Sequence, residues 1–278
     1  MPTQHPIEPA ARTGASVSAQ LTFWVTQPSL LSLQVAAAAD DGSGLRADLD
    51  GRPVAMQEVL GPEPGARQHL LRCGPGELSI SYSATVLPGS GAASRVLEAD
   101  RLMMLRPSRF CASDRLADYA ATRLPGPEVG ALARAQSIGQ YVNAHLQYVI
   151  GSTGPTDDAV DVLLAGRGVC RDFAHLVVTL ARALGMAARF VAVYAPGLSP
   201  MDFHAVAEVE VDGAWHVVDA TRLAPRASLV RIATGRDAAD TSFATTVQGV
   251  ATLVDVRVGA VADGGLPMDD GVALTLLS

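Results

Sequence analysis

The sequence predicts an α+β protein in which an N-terminal all-β, sandwich-like domain precedes a long helix packed on an antiparallel sheet. Three observations support this fold class. Short alternating runs between Gly and Pro breaks fill the first 100 residues. Helical spacing of apolar residues appears from residue 114 onwards. An Asp212-Gly213 pair then separates two alternating runs, which is a strong hairpin signal. With 278 residues, the chain is long enough for two domains.

The N-terminal part is predicted to contain a tail and a small β-sandwich. Residues 1–14 are Pro-rich and polar, so we expect a flexible tail. Strands are predicted where β-favouring residues alternate or run together: 19–25, 29–37, 68–72 and 77–87. This organisation gives an N-terminal β domain over 15–100 and leaves 101–278 as the second domain.

The second domain is predicted to mix helices and strands. Helices are expected over 114–122 and 128–146, and another begins at Asp157, where the negative charge suits a helix N-terminus. The segment 96–106 is predicted to be a linker. Strands are predicted over 189–194, 202–211, 214–221, 227–232, 249–258 and 272–277.

A helix that begins at Cys170 carries the most informative residue of the chain. The helix follows a loop with Gly168 and ends at Gly185, a residue type common at helix C-termini. Free N–H groups at a helix start carry partial positive charge, which favours ionisation of a thiol. Because the thiolate is a nucleophile, Cys170 is a candidate catalytic residue. The alternative is a buried structural cysteine.

The hairpin after this helix places two further candidates together. With the Asp-Gly pair as its turn, His204 and Asp219 become diagonal neighbours on one sheet face, about 7 Å apart at the backbone. The opposite face, formed by the odd-numbered residues of 203–211, is entirely apolar. A slip of one residue would separate the pair. A carboxylate at this position can accept a hydrogen bond from the imidazole and hold its tautomer.

The chain therefore supplies a helix-N-terminal cysteine, a strand histidine and a carboxylate, in the order of a thiol acyl-transfer triad. In that scheme Cys170 attacks an amide carbonyl. His204 takes the thiol proton and passes it to the leaving amine. Asp219 orients the imidazolium.

These residues, together with other blocks, resemble the transglutaminase-like superfamily, papain-related enzymes in which a cysteine-bearing helix packs on a sheet carrying His and Asp. The similarity is close to a bacterial group of proposed transglutaminase-like cysteine proteases and covers roughly residues 105–250. The matching blocks are Pro-Ser-Arg-Phe-Cys (107–111), Gly-Val-Cys-Arg-Asp-Phe-Ala-His-Leu (168–176), Asp-Phe-His-Ala (202–205), Trp215 with Asp-Ala-Thr-Arg (219–222), and Gly-Arg-Asp-Ala-Ala-Asp (235–240).

The resemblance implies a papain/transglutaminase-like core with nucleophile Cys170, base His204 and orienting acid Asp219, often preceded by a β module. Where the family often has Asp-Pro-Thr, this chain has Asp-Ala-Thr at 219–221. This chain thus retains the carboxylate, but alanine in place of proline can change the conformation of the local turn.

Other polar residues near the motif are interpreted as structural. His175 lies five residues after Cys170 and faces another side of the helix, so we expect it to be packed or hydrogen-bonded inside the fold. Asp172 is expected to cap the helix or to pair with Arg171. His216 is expected to point away from the predicted triad.

Two residues keep two interpretations. Cys111 lies in a family-like block that would place it near the site, although a structural thiol is favoured. Trp215 shares a side of the sheet with Asp219, where it would either shield the triad from water or serve as a core aromatic.

Composition limits the partners. Formal net charge is -7 without a basic run, which disfavours nucleic acid. The sequence has no apolar run of about 18 residues, so no membrane span is expected. No cofactor is expected. No metal is expected either, because the sequence lacks the closely spaced Cys and His pairs that are typical of zinc sites. For the same reason, the predicted triad is not expected to bind zinc. Three cysteines without regular spacing, and no apparent signal peptide, lead us to expect a cytoplasmic protein.

The expected function is acyl transfer through a thioester on a peptide or side-chain amide. Hydrolysis by a cysteine peptidase or amidase is favoured, since no EF-hand-like calcium motif suggests a regulated crosslinking enzyme. Two alternatives remain open: a protein-glutamine transamidase (transglutaminase), and a non-catalytic scaffold that binds peptides or proteins. The sequence does not predict the second oxyanion donor or the oligomeric state.

Overall fold

The computed structural model describes residues 14–61, 67–87 and 95–277. Within them the α+β architecture is confirmed, with antiparallel sheets and a buried central helix. The predicted tail lies outside the described residues except for Gly14. No helix in these three ranges is long and apolar enough to span a membrane.

The strands of the described ranges are numbered in chain order. They are β1 (Ala15–Val25), β2 (Ser29–Leu33), β3 (Arg46–Leu49), β4 (Arg52–Pro53), β5 (Met56–Leu60), β6 (Arg67–Cys73), β7 (Gly76–Val86), β8 (Gln147–Tyr148), β9 (Arg167–Gly168), β10 (Ala188–Tyr194), β11 (His204–Val211), β12 (Ala214–Val218), β13 (Val230–Gly235), β14 (Ala244–Gln248) and β15 (Ala251–Ala262). The helices are α1 (Glu98–Met104), α2 (Ala117–Arg123), α3 (Ala131–His145), α4 (Ala159–Ala165) and α5 (Cys170–Ala183).

Two sheets form a sandwich. The first has the strand order β15-β1-β7-β3-β4, and the second has the order β14-β2-β6-β5. Every second residue of β1 is buried, as its alternating sequence requires for a strand with one face on the core. Leu21 and Ile80 of the first sheet share an apolar core with Leu33 and Leu71 of the second.

The sandwich also contains strands from the far end of the chain, which corrects part of the predicted domain organisation. The sequence predicts that residues 101–278 form the second domain, yet β15 pairs with β1, and β14 pairs with β2. Both late strands lie at sheet edges, where they cover the free backbone groups of their neighbours. The boundary near residue 100 itself stays a prediction.

The third sheet carries the central helix. Its strand order is β12-β11-β10-β13, and all its pairs are antiparallel. Ala207, Val209 and Val211 of β11 pack against α5 in a core that also includes residues of α2, α3 and α4. Residues 172–182 of α5 are all buried, so the helix has protein on every side. This burial fixes the position of its first turn.

Two further predictions are wrong in detail. The predicted linker 96–106 contains the helix α1. The predicted strand 272–277 is absent from the described residues. That segment instead lies beside β12 at Thr275, whose carbonyl accepts a hydrogen bond from the Val217 N–H at 2.8 Å. An apolar run predicts burial but does not show whether the segment pairs as a regular strand.

The third sheet is joined to the sandwich by shared core residues. Tyr194 and Ile232 belong to the sandwich core, and the Tyr194 hydroxyl donates to the Val35 carbonyl at 2.7 Å.

Buried Glu208 binds Arg189 and Arg231, each at 2.6 Å. Burial alone would raise the pKa of Glu208, but the two guanidinium groups outweigh it and lower that pKa to about 2.

Candidate active site

Cys170 is the first residue of α5, as predicted, and its side chain is half-exposed. The strand β9 leads into it and pairs in parallel with β8, so Tyr148 lies beside Gly168. Glycine is required at position 168, because a Cβ there would come within 2.7 Å of the Asp172 Cβ. The chain therefore enters the helix in close contact with its first turn.

Asp172 holds this first turn in place. Its carboxylate is buried and accepts hydrogen bonds from the Val169 N–H at 2.9 Å and from the Thr153 hydroxyl at 2.5 Å. Arg171 donates to the same carboxylate at 2.9 Å and to the Gly154 carbonyl at 2.9 Å. Both predicted roles of Asp172, as cap and as ion-pair partner, are confirmed. The contacts also tie the loop before α4 to the cysteine.

His204 and Asp219 meet as the hairpin register predicts. Ala207 pairs with Val218, which confirms the register set by the Asp-Gly turn. His204 is the first residue of β11, and Asp219 directly follows β12. The His204 Nε2 lies 3.2 Å from the Asp219 Oδ2, and both side chains are almost completely buried.

Thr221 fixes the orientation of the Asp219 carboxylate. The Thr221 N–H and hydroxyl donate to the Asp219 Oδ1 at 2.8 and 2.7 Å, which leaves Oδ2 for His204. A side chain that bonds the backbone two residues ahead is an Asx turn. Ala220, at the position where the superfamily that the sequence resembles often has proline, is buried and does not prevent this turn.

The charges around His204 favour its protonated form. Burial lowers the pKa of His204, but the hydrogen bond to Asp219 and the negative charges of Asp219 and Cys170 outweigh burial. The net result is a pKa raised to about 10. The ring nitrogen Nδ1 is buried and makes no conventional hydrogen bond within the described ranges. With Nε2 on Asp219, Nδ1 is the nitrogen left for the thiol.

Tyr148 is a site residue that the sequence did not indicate. Its hydroxyl lies beside the backbone N–H and the thiol of Cys170. Burial and the negative charge of Cys170 raise the pKa of Tyr148 to about 12. The ring packs against Phe173, with 6.0 Å between centroids. The pairing of β8 with β9 brings Tyr148 here, and such short strands give no clear sequence signal.

Cys170 and His204 open onto a cleft of about 530 Å³. This volume lies within the range of small-molecule and peptide side-chain sites. The cleft is bounded by α5, the third sheet and residues next to β14, so the sandwich forms part of its wall. The structure thus brings together the three predicted site residues, beside a cavity that a substrate can enter.

Similarity to known proteins agrees with this geometry. Residues 118–220 match the family model described as the transglutaminase-like superfamily. The chain is also similar to a proposed cysteine protease from Cytophaga hutchinsonii, with 30% identity and a TM-score of 0.83. That match covers 95% of this chain and 96% of the other.

The chain belongs to the transglutaminase-like superfamily. Other similarities are narrower. An uncharacterized protein from Mycobacterium leprae is 38% identical over 55 residues, which are 20% of this chain and 20% of that protein. The periplasmic domain of TgpA from Pseudomonas aeruginosa is 19% identical, covering 78% of this chain and 92% of that domain, with a TM-score of 0.40.

In this member of the transglutaminase-like superfamily, His175 is structural, as expected. It is completely buried and stacks on Phe110, with 5.1 Å between ring centroids. Its Nε2 accepts a hydrogen bond from the Ala238 N–H at 3.1 Å. Burial lowers the pKa of His175 to about 3. The ring is therefore neutral at physiological pH.

The remaining candidates also have structural surroundings. Cys111 is buried and donates to the His175 carbonyl at 3.6 Å, and burial raises the pKa of Cys111 to about 12. Trp215 packs in a separate cluster, with the Arg189 guanidinium 4.4 Å from its ring centre, and therefore does not shield the triad. His216 lines a different cavity from the one that contains Cys170.

Among the residues that the structure describes, no three His, Cys, Asp or Glu side chains are grouped so that they could hold a metal ion. The catalytic roles assigned from the sequence to Cys170, His204 and Asp219 stay predictions at this point.

Proposed function

We propose that this protein is a cysteine-dependent amide hydrolase, a peptidase or amidase that acts through Cys170, His204 and Asp219. The observation that supports this most strongly is the surroundings of His204. Its Nε2 lies 3.2 Å from the buried Asp219 carboxylate, and His204 lines the same cleft as Cys170, the first residue of α5. A purely structural histidine would not need both partners at the edge of an open cleft.

In the first step of the proposed reaction, the thiolate of Cys170 attacks the carbonyl carbon of an amide. The imidazolium of His204 stands beside it and favours the ionised sulfur. As the tetrahedral intermediate collapses, the C–N bond breaks and His204 gives its proton to the leaving nitrogen. The products are a thioester on Cys170 and a free amine or ammonia.

The negative oxygen of the tetrahedral intermediate needs hydrogen-bond donors. The backbone N–H of Cys170, at the start of α5, is the first donor. The hydroxyl of Tyr148 lies beside this N–H and the thiol, and we assign it as the second donor. Because burial keeps its pKa near 12, the phenol stays protonated and can donate throughout the working pH range.

In the second step, water attacks the thioester and returns the thiol. Cys170 contributes to the high pKa of His204, and a thioester carries neither the charge nor the proton of the free thiol. Acylation therefore lowers the affinity of His204 for its proton. The ring can then act as the base that removes a proton from the attacking water. Asp219 holds the ring in place through both steps.

Two other outcomes use the same cleft. In a protein-glutamine transamidase, an amine instead of water would resolve the thioester. In a non-catalytic scaffold, the cleft would bind a peptide without forming a bond. The chain keeps all three triad residues, which favours an enzyme over a scaffold. Peptide or protein substrates and a cytoplasmic location stay predictions.

The test is the identity of the product. The full chain is incubated with a peptide library with and without a primary amine, and the products are analysed by mass spectrometry. Hydrolysed peptides that are absent with the Cys170→Ala variant are expected. Incorporation of the amine would identify a transamidase. No change in any peptide, despite tight binding, would favour the scaffold.

A further inference from the structure

The cleft beside Cys170 is lined mainly by apolar groups. Four phenylalanine rings contribute to its wall and come from four separate segments of the fold: Phe110, Phe190, Phe203 and Phe243. Ile232 and Ala192 of the third sheet complete the apolar surface. A substrate group that enters the cleft therefore meets hydrocarbon and aromatic carbon next to the nucleophile.

The rings are held in fixed positions. Phe203 and Phe243 stack with 5.0 Å between centroids and an interplanar angle of 18°. Phe110 and Phe190 both pack on His175, with centroid distances of 5.1 and 5.0 Å. The first pair is half-buried, so part of each ring remains available to a ligand. The cavity is therefore largely formed before a ligand enters.

Gln34 and Ser242, two of the polar side chains along this wall, already have partners within the protein. The guanidinium of Arg109, which also lines the cleft, is exposed and packs over the Phe110 ring at 5.0 Å. Gln34 donates to the carbonyls of Asp240 and Ser242, at 3.0 and 3.4 Å. The Ser242 hydroxyl donates to the Ala244 carbonyl at 2.9 Å. A carboxamide inserted beside Gln34 and Ser242 would lose water without gaining equivalent hydrogen bonds, which is unfavourable, whereas an apolar side chain gains from burial.

We infer that this cleft is an apolar specificity pocket for the acyl portion of the substrate. The preferred substrate carries a bulky aromatic or branched aliphatic side chain next to the reacting carbonyl, in place of a glutamine carboxamide. The cleft suits the acyl portion, because that portion stays attached to Cys170 while the leaving amine departs. This inference rests on the proposed function and specifies its substrate class.

The β-sandwich is part of this pocket. Phe243 immediately precedes β14, an edge strand of the sandwich, and Thr245 lies on that strand. Phe203 immediately precedes His204 and stacks on Phe243. The contact between sheet and sandwich thus sets the shape of the cleft directly beside the histidine.

The experiment compares matched thiol-directed inhibitors. Peptidyl acyloxymethyl ketones with Phe, Leu, Gln or Asp next to the ketone react with the full chain, and the second-order rate of Cys170 labelling is measured by mass spectrometry. The Phe and Leu compounds are expected to react at least about tenfold faster than the Gln compound, as pocket burial commonly provides.

A variant that narrows the pocket adds a second readout. Ala239 is exposed and lines the cleft, so Ala239→Leu reduces its space without disturbing the core. The variant is expected to slow the Phe compound more than the Gln compound. Ala121→Leu, the same change at an exposed position of α2 outside the cleft, is the matched control and should leave the Phe/Gln ratio unchanged.

The failures are distinguishable. If the Gln compound reacts as fast as the Phe compound, or faster, the apolar pocket is wrong while Cys170 remains a nucleophile. An unchanged Phe/Gln ratio in Ala239→Leu would also overturn the inference. If Cys170 reacts with iodoacetamide but with none of the ketones, this result contradicts the proposed function, and with it the inferred substrate class.

Discussion

His204 and His175 are both buried, yet their surroundings shift the pKa of the two rings in opposite directions. His204 is 2% exposed and borders the cleft, whereas His175 is 0% exposed and lies behind two of its walls, Phe110 and Phe190. The pKa of His204 is raised to about 10, and that of His175 is lowered to about 3.

The partners and the nearby charges account for the difference. Burial lowers the pKa of both rings, but at His204 a hydrogen-bonded carboxylate and a thiol outweigh burial. His175 receives a hydrogen bond from a backbone N–H, which only an unprotonated nitrogen can accept. The positive charges of Arg171 and Arg182 lower the pKa of His175 further, against the opposing charge of Asp172. Burial by itself does not identify a catalytic histidine. A buried histidine with ionisable partners at a cleft is the stronger indicator.

The largest expected effect separates the two histidines directly. His204→Gln removes the proton donor and is expected to reduce kcat/KM by about 10³-fold or more. His175→Gln keeps a hydrogen-bond acceptor near the Ala238 N–H and is expected to change kcat/KM by less than about tenfold in the folded fraction. Steady-state kinetics on a hydrolysed peptide, with circular dichroism to confirm folding, measures both. Equal losses in the two variants would contradict the distinction.

Asp219→Asn tests the partner that raises the pKa of His204. The amide can still hydrogen-bond the ring but does not stabilise an imidazolium, so kcat is expected to fall by about 10²- to 10⁴-fold. The high pKa of His204 predicts that wild-type activity declines above about pH 10, and this decline should begin at lower pH in the variant. A pH–rate profile of each protein shows the alkaline limb, that is, the pH range over which kcat declines at high pH. An unchanged alkaline limb would mean that Asp219 does not control the histidine.

Tyr148→Phe tests the assigned second oxyanion donor. Loss of this hydroxyl is expected to lower kcat by about 10²-fold and to change KM little, since the donor acts mainly on the transition state. The ring contact with Phe173 is retained by the new side chain. Single-turnover acylation with an ester and an amide substrate measures the effect. A KM increase without a kcat decrease would instead indicate a role in substrate binding.

The smallest expected effect is on stability at acid pH and concerns His175. Its folded-state pKa, about 3, lies below the ordinary value of 6.5, so its stabilising contribution is complete above pH 6.5 and is lost as pH falls towards 3. His204 behaves oppositely, with a contribution present below pH 6.5 and lost as pH rises through about 10. Urea unfolding from pH 7 to 4 should show a steeper fall for wild type than for His175→Gln, by a few kcal/mol at most. Parallel curves would contradict this assignment.

The contacts that could be predicted join residues close in the sequence, whereas those that could not be predicted join residues far apart in it. The register of β11 and β12 follows from a two-residue turn, so the His204–Asp219 contact, whose residues lie 15 apart in the sequence, could be predicted locally. The pairing of Leu21 with Val256 connects opposite ends of the chain, and alternation indicates a strand without indicating its partner. Tyr148 was missed for the same reason, because its position depends on pairing with β9 and not on a local pattern.

Alkylation of Cys170 across pH tests the central claim most directly. Iodoacetamide labelling of the three cysteines is followed by mass spectrometry from pH 5 to 10, in wild type and in His204→Gln. Burial raises the pKa of Cys73 and raises that of Cys111 to about 12, so these two thiols serve as slow internal references. Cys170 is expected to react faster than both reference thiols, and to lose this reactivity when His204 is replaced. Labelling of Cys170 only in parallel with Cys73, unaffected by His204→Gln, would contradict the account.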